Sequence, residues 1–196
     1  MKKIIMLLSL VVCMSFSAFA NDQVALKDKI ENIDDASFQC IKSMTKVRGF
    51  YVDNIDSERL DETLLVAQAG KGEYPAGSII QLVPTEVMIK HPKGTNDKTN
   101  DWEFFELKVD KQGSKIHVRG FENVVNKFGG NCLDCHQKAK PEFDMVCEQG
   151  HGCDPIPITP AMTAVIQKTD PRCEVNYTLN AEEMAIAKQL KALFGG

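Results

Sequence analysis

Apolar residues recur mostly at three- and four-residue steps from Asp22 to about Asn54, at Val24, Leu26, Ile30, Ile33, Phe38 and Ile41, with charges between them. That periodicity predicts a helical N-terminal segment. Ser57 to Gln68 predicts a second helix, opened by Asp56-Ser57 as capping residues and closed at Gly70. The texture changes at the turn Tyr74-Pro75-Ala76-Gly77. Ser78 to Val83 and Thr85 to Lys90 are β-rich and separated by Pro84, while Trp102 to Val109 and Lys115 to Arg119 flank an Asp110-Lys111-Gln112-Gly113 hairpin turn. Pro92 to Asn100 is a polar loop, expected to be the mobile part. Glu122 to Phe128 predicts a short helix ended by Gly129-Gly130, and residues 141–157 are irregular. Thr159-Pro160 opens a helix to about Lys168. Asn180 caps a final amphipathic helix with acids in its first turn and lysines near its end. The expected fold is α+β: a small central antiparallel sheet of three or four strands, about 74–121, flanked by N- and C-terminal helices.

The first twenty residues change the compartment. Lys2-Lys3 precede a short apolar run from Ile4 to Phe16, and Ser17-Ala18-Phe19-Ala20 ends in a small-x-small pattern. This reads as a cleaved secretory signal, residues 1–20, rather than a membrane anchor, with a lipid anchor on Cys13 as the lesser alternative. Residues 21–196 then form a single domain, with 43 % hydrophobic residues overall to supply one core. Losing two lysines takes the formal charge from −4 to −6. An acidic exported chain argues against nucleic acid and against an anionic membrane surface. The expected location is the periplasm.

Six of the seven cysteines lie beyond the signal. Two of them stand in Cys132-Leu133-Asp134-Cys135-His136, the C-x-x-C-H pattern of covalent haem c attachment. Two thiols at this spacing match the two vinyl groups of one haem. The adjoining imidazole is carried under the iron as the proximal ligand. The competing readings are a structural disulfide, a thioredoxin-like pair or half of a zinc site. No βαβ pattern precedes Cys132, and no second C-x-x-C follows it. The motif falls in a haem-attachment region, about 129–158, in the helical and loop-rich part after the sheet. The other four cysteines, Cys40, Cys147, Cys153 and Cys173, are even in number in an oxidising compartment. Three pairings are open, and the reading leans to Cys147–Cys153 with Cys40–Cys173.

The group on the far side of the iron separates electron transfer from chemistry. His151, between glycines in Cys147-Glu148-Gln149-Gly150-His151-Gly152-Cys153, is the foremost histidine candidate for the sixth position. A solvent-facing turn residue is the plainer reading. His117 reads as a strand residue, His91 as loop and Met145 as core, so an open position is a live alternative. Phe104, Phe105, Phe121, Phe128 and Phe143 are candidates for an apolar distal wall, although such aromatics usually serve the core. Lys138, Lys140 and Arg119 are candidates for pairing with haem propionates, although a solvated charge is the simpler role for each.

Tyr74-Pro75-x-Gly77 before a strand, Trp102-Glu103-Phe104-Phe105-Glu106, and Gly130-Asn131-Cys132-Leu133-Asp134-Cys135-His136 near the end of the sheet region resemble the cytochrome P-460 / cytochrome c′-beta family over roughly residues 50–145. The resemblance implies a mostly antiparallel β domain, a homodimer, His136 as proximal ligand and a largely apolar distal pocket. It also implies either hydroxylamine oxidation, in members with a lysine bonded to the haem edge, or nitric oxide binding. Lys90 is the most plausible position for that lysine. The function expected is a periplasmic monohaem c-type cytochrome that transfers electrons or binds a small gas. Its partner is then a redox protein or the gas itself. The alternatives are a haem oxidoreductase acting on hydroxylamine or nitric oxide, and a disulfide-stapled binding module without haem.

Overall fold

The structure is a computed structural model that describes residues 24–174 and 177–194. The expected signal segment lies outside the described residues. Among the described residues, no helix is long and apolar enough to cross a membrane.

Six antiparallel strands form one sheet in simple sequential order: β1 (Thr45–Val47), β2 (Phe50–Asn54), β3 (Ser78–Val83), β4 (Glu86–Lys90), β5 (Trp102–Asp110) and β6 (Gly113–Gly120). Helices α1 (24–31), α2 (Leu60–Ala69), α3 (Cys132–His136), α4 (Pro160–Lys168) and α5 (Ala181–Phe194) surround it. The fold is α+β, as expected. The expected strands from Ser78 onward form close to their expected bounds, and the β5–β6 hairpin closes with Asp110 opposite Gly113. Gly113 has φ +136°, a conformation for which glycine is suited.

Two expectations fail for local reasons. The predicted N-terminal helix stops at 31 and residues 45–54 become β1 and β2. The Asn32 amide donates back to the Asp28 carbonyl, and Asp34 caps a new 3-10 turn over Asp35–Ser37. Phe50, Tyr51 and Val52 are then claimed by pairing with β3, which outweighs a loose helical period. The sheet therefore has six strands rather than three or four. The predicted helix at 122–128 does not form either. Asn126 Oδ1 accepts from the amides of Phe128 and Gly130, a side-chain turn that competes with helical bonding. The polar loop before β5 is stitched around Asp101, whose carboxylate accepts from the amides of Gly94 and Asn96.

Alternation along the strands divides the core in two. Val87, Ile89, Phe105 and Leu107 pack with Leu26, Ile30 and Phe38 on the side of α1. Met88, Trp102 and Phe104 face the other way and pack with Ala67 of α2, Tyr74, Val124 and Val146, with Cys132, Leu133 and Met145 laid against them. Disulfides join Cys40 to Cys173 and Cys147 to Cys153. Near the first, buried Asp170 accepts from the Ile41 amide and pairs with Arg172 at 2.7 Å.

Candidate functional site

The C-x-x-C-H residues form the whole of α3. Asn131 Oδ1 caps it by accepting from the Asp134 amide at 3.1 Å, and its Nδ2 donates to the Glu122 carbonyl. The Cys132 amide donates to the Val124 carbonyl, which ties the motif to the segment leaving β6. Cys132 and Cys135 are free thiols, both half-buried. Burial, followed by the nearby Glu86 and Glu106 carboxylates, pushes the Cys132 thiol up to about 12. The Cys135 thiol is also pushed up, chiefly by burial. These are protonated thiols at neutral pH, the reverse of an activated redox cysteine.

His136 is fixed from its Nδ1 side. Nδ1 lies 2.7 Å from the Met145 carbonyl oxygen. A carbonyl can only accept, so Nδ1 carries the proton and Nε2 presents its lone pair. The Phe104 ring stands 5.3 Å away on the sheet. Of the five phenylalanines suggested as a distal wall, Phe104 meets this ring, while Phe105 packs on Phe38 across the sheet. Phe121, Phe128 and Phe143 pair with His91, Phe194 and His151 respectively.

The turn behind His136 has an uncommon backbone. Asp144 and Met145 both have positive φ, +48° and +62°. Three consecutive carbonyls of this turn meet aromatic nitrogens. Trp102 Nε1 donates to Asp144 O at 2.8 Å, His136 Nδ1 to Met145 O, and His151 Nδ1 to Val146 O at 2.7 Å. The His151 ring lies flat on Phe143, 3.7 Å between centroids, inside the loop closed by Cys147–Cys153. The Met145 carbonyl therefore sits on the Nδ1 side of His136, and His151 is held by the next carbonyl of the same turn.

Lys90 is deeply engaged. Its Nζ donates to Asp144 Oδ1 and to the Asn100 carbonyl, each at 2.7 Å, and both charged side chains are buried. Burial raises the Asp144 carboxyl above its ordinary value and Lys90 pulls it back. Arg119 is likewise committed, clasping Glu103 together with His91 on the opposite face. Lys138 pairs with Asp154 at the surface.

Sequence reasoning left the acids of this site unplaced, and the sheet supplies two. Glu86 and Glu106 are directly opposite each other on β4 and β5, on the Cys132 side. Glu86 Oε1, Glu106 Oε2 and the neighbouring Thr85 Oγ1 are buried without a hydrogen-bond partner among the described residues. Burial pushes Glu106 up to about 7, with Glu86 adding to the rise and Lys127 opposing it. Glu106, Thr85, His117 and Lys127 line a groove of about 390 Å³. The signal was present in Trp102-Glu103-Phe104-Phe105-Glu106: on an alternating strand Glu106 must share the face of Trp102 and Phe104.

Glu106 makes stability fall with rising pH. Folded Glu106 holds its proton where the unfolded chain has released it, so stability falls as pH rises from about 4.5 towards 7. Glu106→Gln is expected to flatten that fall and to stabilise the chain at pH 8 by about 1–3 kcal/mol. Urea midpoints at pH 5 and pH 8 check it, and an unchanged pH slope would show that Glu106 titrates normally.

No family model, curated protein or solved structure matches this chain.

Proposed function

We propose that this chain is an exported monohaem c-type cytochrome of the P-460 / c′-beta kind, with Cys132 and Cys135 holding one haem c and His136 as its proximal ligand. One observation carries the reading: on a single capped helical turn, two free thiols stand beside a histidine whose Nδ1 is bonded to a backbone carbonyl and whose Nε2 is left for a metal. The residues fit the group. Cys132 lies against an apolar sheet face that includes Phe104 and Met88, and Cys135 follows it one helical turn on. The four remaining exported cysteines are consumed by two disulfides, which leaves a zinc site without further sulfur ligands and is consistent with an oxidising compartment. The raised thiols speak against a thioredoxin-like role.

A bound haem would supply one-electron redox chemistry and small-gas binding, held by Cys132, Cys135 and His136. The His151 Nδ1 is engaged by the Val146 carbonyl and its ring by Phe143, so His151 is not assigned as a second ligand. The protein then acts in small-gas binding, nitric oxide being the gas the resemblance implies, or in electron transfer with a redox protein. A second reading, oxidation of a small nitrogen species such as hydroxylamine, draws support from buried Glu106 and half-buried Glu86. A carboxyl that titrates near neutrality can give or take a proton beside the attachment edge. The haem-linked lysine implied by the resemblance is not assigned to Lys90, whose Nζ is held by Asp144 and Asn100.

Expression in the periplasm with the covalent attachment machinery tests the proposal. The intact mass should rise by one haem, the spectrum should be broad and high-spin, and nitric oxide should change it. Cys132→Ala with Cys135→Ala is expected to abolish the covalent mass gain. A parent chain that leaves this system without haem overturns the proposal.

A further inference from the structure

We infer that Trp102, Lys90 and Asp144 are positioning residues for the axial histidine, because together they fix the carbonyl that holds His136. The inference rests on the haem reading and goes further into the same site.

Lys90 and Trp102 are directly opposed on β4 and β5, so both side chains rise from one rung of the sheet. The Lys90 Nζ lies 5.1 Å from the Trp102 ring centroid. Both reach residue 144: the indole donates to its carbonyl and the ammonium to its carboxylate. The rest of that carboxylate is also engaged. Oδ2 accepts from the Tyr74 amide at 2.7 Å, and Oδ1 also accepts from Asn100 Nδ2. The next carbonyl along the chain, that of Met145, receives His136 Nδ1. A continuous path thus runs from the sheet rung through Asp144 and one peptide to the imidazole.

The arrangement exceeds what packing asks for. Two successive non-glycine residues at positive φ are strained, and persist where the surroundings over-determine them. A buried ion pair is weak evidence for stability, because desolvation offsets most of its attraction. The strained turn and the buried pair share one geometric outcome. The Met145 carbonyl points at Nδ1, which fixes the tautomer, the ring orientation and the donor strength of Nε2.

The sign of the effect follows. A firm Nδ1–H···O bond makes the imidazole a stronger donor and favours the ferric iron. A loosened turn weakens that bond and favours the ferrous iron.

The test compares the haem-loaded parent with Trp102→Phe, which keeps an apolar ring and every charge but removes the indole N–H. The equilibrium is expected to shift towards the reduced form by up to about tenfold, ~59 mV for a one-electron couple. Mass should show one haem in both proteins, and the ferrous iron–imidazole stretching band of the variant should move to lower frequency. Lys90→Met with Asp144→Asn conserves net charge and serves as the second variant, with the same expected shift. Asp170→Asn, at the buried pair with Arg172, is the control: it should lower the melting temperature without moving the potential. Full haem content with potentials no different from this control overturns the inference. A parent without haem instead overturns the proposed function.

Discussion

Replacing both Cys40 and Cys173 by serine is expected to destabilise the chain by about 5 kcal/mol, and doing the same to Cys147 and Cys153 by only about 2 kcal/mol. The difference comes from the loops they close. Cys40 and Cys173 are 133 residues apart, and Cys147 and Cys153 are six apart. A cross-link restricts the unfolded chain more when it closes a longer loop. Local structure reinforces the first bridge. It joins the turn leading into β1 to the segment after α4, where Asp170 receives the Ile41 amide; just before it, Gln167 at the end of α4 donates to the carbonyls of Gly49 and Leu82. Without the sulfur link those hydrogen bonds must be formed by two remote segments at full chain entropy. A domain of this size should lose roughly 10–20 °C in melting temperature for the long bridge. Thermal unfolding under non-reducing conditions measures both variants. An equal or larger loss from the six-residue loop would mean that native strain, not loop closure, governs these bridges.

The parts of the fold that could be read in the sequence are those whose cause is local. The strands from Ser78 to Gly120 are β-rich in composition and separated by Pro84, a polar loop and a tight hairpin, so type and approximate bounds were legible. Thr159-Pro160 and Asn180 carry their own capping chemistry, and α4 and α5 begin there. Residues 45–54 were not legible. Phe50, Tyr51 and Val52 are apolar on both faces, and their state is decided by β3, about thirty residues away. Asn126 was missed because one side-chain oxygen, rather than a pattern, turns the chain.

The site divides in the same way. Cys132, Cys135 and His136 are adjacent in sequence because the chemistry demands it, so five residues announce them. The groups around them come from elsewhere. Lys90 meets Trp102 only once the register of β4 and β5 is set, and both meet Asp144 only once the chain has returned after α3. No glycine marks the positive φ at Asp144 and Met145. Alternation puts Glu106 on the face of Trp102 and Phe104, but its partner Glu86 is identified only by the β4–β5 register, and the pair is covered only once the segment after β6 folds over that face.

Lys90→Met is expected to cost about 3–5 kcal/mol at pH 8, because it leaves the Asp144 carboxylate buried without its counter-charge. The Tyr74 amide and Asn100 amide still reach that carboxylate, but they are neutral donors. Burial already raises the Asp144 carboxyl with lysine present, and removing the lysine raises it further. The folded variant then keeps a proton that the unfolded chain releases near pH 4, so its stability falls as pH rises through the folded value. The penalty should accordingly shrink at pH 5, where protonated Asp144 no longer places a charge in the core. Lys90→Met with Asp144→Asn should recover most of the loss at pH 8, since no bare charge remains. A double-mutant cycle in urea at both pH values measures each of these terms. If the single variant is instead more stable at pH 8 than at pH 5, Asp144 is charged in the fold for a reason other than Lys90, and the ion pair is not what holds the turn behind His136.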